Sequence, residues 1–233
     1  MPEEVPLIDQ CVADFQRLWM RLYVDHQFHP SEVDVCYMHA LTEGMARSCD
    51  VFEMVRAKMV NTSAFTAYNG DDGDSAKAHG WNGASWFRDA LVHVCHFDEG
   101  RLVPTRPAIH TRDETDAAIE LARERRWKRI FIATVLYHWP RSLGCTVGSM
   151  AKYEYYPAVY FLSPSKVNLY EPMRGSQGRE ETTFIREAGA EADHFFHYLE
   201  KGAENGGTRW RQEYSAPFSE IYAYLDRRDA NQL

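Results

Sequence analysis

The stretch Ile130-Phe131-Ile132-Ala133-Thr134, followed at once by Val135-Leu136-Tyr137-His138-Trp139-Pro140-Arg141, decides the fold of this chain. An unbroken apolar run of this kind marks a central parallel strand covered on both faces. Pro157 to Leu162 is a second such run, and Val33 to Met38 reads as a buried strand. Ala64 to Tyr68 is a short strand, and Leu102-Val103 is a short extended piece before a loop punctuated by Pro104 and Pro107.

Helical periodicity fills the intervals. Residues 44–59 repeat through Met45, Val51, Phe52, Val55 and Met59, and a helix from about Gly83 to His96 repeats through Trp86, Phe87, Ala90, Leu91 and Val94. Thr111-Arg112-Asp113-Glu114 has capping-box spacing, so Thr111 is read first as a helix cap with Glu114 reaching back to it. Strand, helix, strand, helix, strand, helix, strand is the order of a doubly wound, mostly parallel, Rossmann-like α/β sheet. Residues 7–24 add an amphipathic N-terminal helix through Ile8, Cys11, Val12, Phe15, Trp19, Leu22 and Tyr23. The expected organisation is residues 1–30 as a helix packing on the core, 31–165 as the α/β core, and 166–233 as a C-terminal extension of the same globular unit. In that extension, 187–200 and 217–226 look helical, while Gly175–Gly178 and Gly202–Gly207 read as polar loops.

Composition narrows the function. The formal charge of −8 opposes unspecific nucleic-acid binding, which needs clustered cations. The basic run Arg123 to Arg129, broken by Glu124 and Trp127, reads as the solvated end of a helix. No apolar run reaches the ~20 residues of a membrane span. Met1-Pro2-Glu3-Glu4 does not resemble a signal peptide, which leads to the expectation of a cytoplasmic protein. Cys11, Cys36, Cys49, Cys95 and Cys145 are scattered and form no C-x-x-C, so reduced, buried thiols are expected. The His93/His96 and His194/His197 pairs lack an evident third ligand, and no metal site is expected. Dinucleotide-binding, P-loop and nucleophile-elbow motifs are absent.

In a doubly wound sheet, ligands bind beyond the carboxyl ends of the strands. That rule selects Asn69, Gly70, Asp71 and Asp72 after the second strand, and Thr134, Tyr137, His138 and Arg141 after the central run. The loop before the capped helix supplies His110 and Thr111. Asp71 is read as a turn former or a partner for ribose hydroxyls, and Trp81 or Trp86 as packing or a stacking face for a planar ligand. Arg141 would hold an anion, with His138 and His110 as the candidate catalytic groups.

Thr134-x-x-Tyr137-His138-x-x-Arg141 is similar to the T-x-x-Y-H-x-x-R signature of the YdcF/SanA/ElyC-like domain family, a family of unknown function. His110-Thr111-Arg112-Asp113 aligns with that family's N-T-x-E segment, and Asn69-Gly70 with its small turn. The resemblance runs from Val33 to about Tyr160. It departs at His110, at Asp113, and at His39-Ala40-Leu41, where the family has a glycine-rich turn. The resemblance implies a Rossmann-like fold and, for one class of members, S-adenosylmethionine binding. Others are associated with envelope carrier-lipid or peptidoglycan metabolism.

Three expectations follow. The first is a binder of a nucleotide-like or S-adenosylmethionine-like anionic metabolite, with or without catalysis. The second is a phosphoester hydrolase or transferase with His138 as acid/base or nucleophile and Arg141 as clamp. The third is a non-catalytic regulatory or scaffolding protein. The sequence does not specify an oligomeric state.

Overall fold

The computed structural model describes residues 7–25, 32–41, 50–73, 81–162, 170, 172–174, 181–183, 185–192, 195 and 215–233. Five parallel strands form one sheet in the order β3-β2-β1-β4-β5. They are β1 (Val35–Met38), β2 (Phe65–Tyr68), β3 (Leu102–Pro104), β4 (Arg129–Ala133) and β5 (Ala158–Leu162). The helices are α1 (Leu7–Asp25), α2 (Val51–Met59), α3 (Ala84–His93), α4 (Thr111–Arg125), α5 (Trp139–Tyr153) and α6 (Phe218–Asp229). The architecture is α/β, doubly wound and Rossmann-like.

Every residue of β1 is buried, as is every residue of β4 after Arg129, which explains their unbroken apolar character. Val35 to Met38 of β1 lie beside Phe65 to Tyr68 on one side and Ile130 to Ala133 on the other. Leu102-Val103, read as an extended piece, is part of edge strand β3, paired with Thr66-Ala67. A three-residue edge strand carries too little alternation to announce itself.

The chain order reverses between β1 and β4: one half of the sheet grows outward through β2 and β3, the other through β5. That reversal opens the crevice in which ligands of such sheets sit. Helices α4 and α5 line it with their N-terminal turns. They pack through a buried polar seam. Arg112 donates to the Cys145 carbonyl (3.0 Å), Ser149 donates to Asp116 (2.7 Å), and the Thr115 and Ser149 hydroxyls meet at 3.0 Å.

The outer edge of β5 is covered by α6. The Val159 amide donates to the Tyr224 hydroxyl (2.7 Å), and Arg228 donates to the Val159 carbonyl (3.0 Å). Backbone groups that would template edge-to-edge pairing are thereby used. Arg21 of α1 bridges Asp226 and Asp229 of α6, so the N-terminal helix meets the C-terminal extension. A small antiparallel pair, β6 (Pro172–Arg174) and β7 (Glu181–Thr183), lies in the extension, outside the segments expected to be helical. The helical expectations over 187–200 and 217–226 meet a helical stretch at 185–192 and helix α6. Residues 193–194, 196–200, Gly175–Gly178, Gly202–Gly207, Cys49, His194 and His197 lie outside the described residues, as does Met45.

The described thiols Cys36, Cys95 and Cys145 are free and buried. Burial pushes the Cys95 and Cys145 thiols up to about 12 and about 11, so neither is a ready nucleophile at neutral pH. No helix among the described residues is long and apolar enough to cross a membrane.

Candidate functional site

The second-strand turn is a structural clamp. Asn69 is buried; its amide donates to the Ala108 carbonyl (2.6 Å), and its side-chain oxygen accepts from the Asp71 and Ala108 amides (3.0 and 3.1 Å). It thus ties the end of β2 to the loop that delivers α4. Asp71 accepts from the Gly73 amide (2.9 Å), and its carbonyl accepts from Ala84 (2.9 Å). Asp72 takes the Ser85 amide and hydroxyl, capping α3 from outside the helix. Trp81 is buried against Phe87, and Trp86 packs between Phe52 and Phe87.

Gly70 is required by contact: a Cβ there would stand 2.1 Å from the Thr105 carbonyl oxygen. We expect Gly70→Ala to push the β2 turn off the β3 loop at a cost of about 1–3 kcal/mol. Its chemical-denaturation midpoint should fall accordingly; an unchanged midpoint would show that the turn yields freely.

The sequence places Thr111 as the cap of α4. The structure places His110 at the N-cap and Thr111 one residue inside the helix. Glu114 does not reach back. Its carboxylate is drawn across the crevice, accepting from the Ala40 amide (2.7 Å), the Tyr37 hydroxyl (3.5 Å) and His39 Nδ1 (3.1 Å). Donors at the end of β1 and just past it outcompete the helix's own amides, so the capping-box reading is corrected. His110 is exposed, and its side chain makes no hydrogen bond among the described residues.

Thr111, His138 and Arg141 meet directly. Arg141 Nη1 donates to the Thr111 hydroxyl (2.9 Å), Arg141 Nη2 lies 3.0 Å from His138 Nδ1, and His138 Nε2 lies 3.4 Å from Thr111. The proline at position 140 suits the first turn of α5, which aims Arg141 at this point. Arg141 is already gripped by a carboxylate. Its Nε and Nη2 donate to the two oxygens of Glu191 at 2.6 and 2.8 Å, in the paired geometry that suits a guanidinium. Glu191 belongs to the helical stretch 185–192 in the extension.

Burial, helped by the neighbouring Arg141 charge, pushes the His138 pKa down to about 4, so the ring is neutral at pH 7. A guanidinium can only donate and a carboxylate can only accept, and His138 Nδ1 lies within reach of both, 3.0 Å from Arg141 Nη2 and 3.2 Å from Glu191 Oε2. Burial alone would raise the Glu191 pKa, but His138 and Arg141 reverse this and hold it well below the usual carboxylate range.

A second cluster lies against the first. The His39 ring stands edge-on to His138, with centroids 5.5 Å apart. His39 Nε2 is 2.7 Å from the Ser142 hydroxyl, and Nδ1 is 3.1 Å from Glu114. His39, Glu114, Ser142 and Glu191 are not among the residues selected from the sequence. His39 was legible there, since it is the first residue after β1, beside the chain reversal. Ser142 and Glu191 carry no sequence signal.

Thr134 and Tyr137 are buried just after β4. The Thr134 hydroxyl has no hydrogen-bond partner among the described residues. No group of three or more His, Cys, Asp or Glu residues suited to a metal occurs among them. No family model, no curated protein and no solved structure matches this chain.

Proposed function

We propose that the crevice between β1 and β4 binds a small anionic metabolite, with the ligand's anionic group on Arg141 in the place of Glu191. One observation carries this reading. Arg141, contacted by Thr111 and His138 at the chain reversal, holds a carboxylate whose own segment lies far along the chain. The planar, two-pronged grip fits a carboxylate or a phosphate alike.

Glu191 neutralises Arg141, so the resting cluster has no surplus positive charge for an incoming anion. Uptake is an exchange of one carboxylate for another group of the same shape and charge. Such an exchange avoids leaving Arg141 buried and unpaired, which would cost about 3–5 kcal/mol. The orphaned Thr134 hydroxyl offers a polar contact to the rest of the ligand.

The resemblance to the YdcF/SanA/ElyC-like family, with its nucleotide-like or S-adenosylmethionine-like ligands, belongs to this proposal. The structure favours the anionic end of such a molecule over its adenosine end. Asp71 has one oxygen on its own turn and Trp81 is packed into the core, so neither is laid out for a ribose and a base. The hydrolase or transferase reading draws on His138, but a ring whose pKa is lowered to about 4 is a weak base at pH 7, so binding is the better supported reading.

The test is calorimetry with a panel of carboxylates, sugar phosphates, nucleotides and S-adenosylmethionine. Arg141→Lys should weaken binding of any hit at least tenfold, because an ammonium cannot reproduce the fork. Glu191→Gln should tighten it about tenfold by weakening the internal competitor. Binding that is indifferent to both substitutions would place the ligand elsewhere.

A further inference from the structure

We infer that Ser142, His39 and Glu114 form a nucleophile relay for acyl transfer from a carboxylic ester. The inference is independent of the anionic-ligand reading and meets the Arg141 grip only as the barrier to access. It rests on atom-by-atom geometry. The Ser142 hydroxyl is 2.7 Å from His39 Nε2, and the opposite ring nitrogen, Nδ1, is 3.1 Å from Glu114. Nucleophile, base and orienting carboxylate thus follow one another through the two nitrogens of a single imidazole, the arrangement that activates a serine.

The carboxylate is itself held. Glu114 accepts from the Ala40 amide at 2.7 Å and from the Tyr37 hydroxyl, leaving its other oxygen for His39. With Nδ1–H given to Glu114, Nε2 is the acceptor, so the serine hydroxyl donates to it. The relay is assembled from the end of β1, the first turn of α4 and the first turn of α5. That is the rim where sheets of this kind carry their chemistry.

In the reaction, the Ser142 oxygen bonds to the ester carbonyl carbon while its proton passes to His39 Nε2. Collapse of the tetrahedral intermediate breaks the bond to the alcohol oxygen, which leaves with that proton. Water then attacks the acyl-serine, gives a proton to His39, and releases the carboxylic acid as that proton returns to the serine oxygen. Glu114 is a positioning residue: it fixes the ring and stabilises the imidazolium formed in each step.

Ser142 is 0% exposed. The less enclosed group of Thr111, His138 and Arg141 stands against the relay, with His138 edge-on to His39. Access therefore requires that group to part, and Glu191 is the contact that holds it closed.

The experiment is labelling of the full chain with an alkyl fluorophosphonate, followed by intact-mass and peptide analysis. A single adduct on Ser142 is expected, formed with loss of fluoride. His39→Gln should slow it at least 100-fold, and Glu191→Gln should speed it. Hydrolysis of p-nitrophenyl acetate should disappear in Ser142→Ala. In Glu114→Gln, kcat should fall with KM little changed, and Glu114→Asp should restore part of it, a split that loss of folded protein does not produce. Peptide mapping on the unmodified sequence needs no variant to fold. Absence of an adduct on Ser142 in both the parent and Glu191→Gln, or an adduct indifferent to His39, would overturn the inference.

Discussion

Arg141→Met should lower the unfolding free energy by about 3–5 kcal/mol. The reason lies in burial. The Arg141 and Glu191 side chains are 15% and 5% exposed, and two short hydrogen bonds join them. Removing the guanidinium leaves the Glu191 carboxylate in a dry place, with the neutral His138 ring as its remaining partner among the described residues. Removing the carboxylate instead strands the guanidinium in the same way. For a chain of this size the loss corresponds to a fall of roughly 10 °C in Tm. The paired variant Arg141→Met with Glu191→Leu should recover most of it, because no buried charge is then left unmatched. Thermal unfolding of the three variants measures the coupling. Single variants that melt with the parent would show that the extension is not held through this pair. The anchor would then lie in the α1–α6 contacts at Arg21, Asp226 and Asp229.

Stability should also fall steeply as the pH drops from 6.5 to 4, by on the order of 3 kcal/mol from His138 alone. The pKa of His138 is lowered from 6.5 to about 4, chiefly by burial and then by Arg141. In that window the unfolded chain takes up a proton that the folded ring refuses. The contribution is fully present above pH 6.5, drains away as the pH falls, and is gone by about pH 4, where both states are protonated. Glu191 acts in the same sense at lower pH: its pKa is depressed in the fold, so its contribution is lost as the pH falls through the carboxylate range. Denaturant unfolding at pH 7, 5.5 and 4.5 should show the slope, and His138→Gln should flatten it above pH 5. A parent and a variant with parallel pH profiles would mean that the ring titrates alike in the folded and unfolded chains.

Part of the site is legible in the sequence. Thr111, His138 and Arg141 follow from one rule, that residues just past parallel strands line the ligand crevice, and they do make mutual contacts. Applied to β1, the same rule also reaches His39. Asn69 and Asp71 satisfy the rule yet serve the backbone, because a short side-chain amide or carboxylate in a turn finds nearby amides before any ligand. Glu114 shows the limit of local reading. Its spacing from Thr111 predicts a cap, but the donors just past β1 lie across the crevice, invisible in a window of four residues.

By itself the sequence determined the α/β class, the central place of Ile130–Ala133 and the helix that begins beside Thr111. Those depend on periodicity and on short-range spacing, which the chain carries locally. Only the tertiary structure decided that Leu102–Pro104 pairs as an edge strand, that Glu191 sits on Arg141, and that Ser142, His39 and Glu114 share one chain of hydrogen bonds. Partners separated by 50 to 103 positions are matched by how the sheet order turns at β1 and β4 and by which buried donor needs an acceptor. Neither condition has a periodicity that the chain could display.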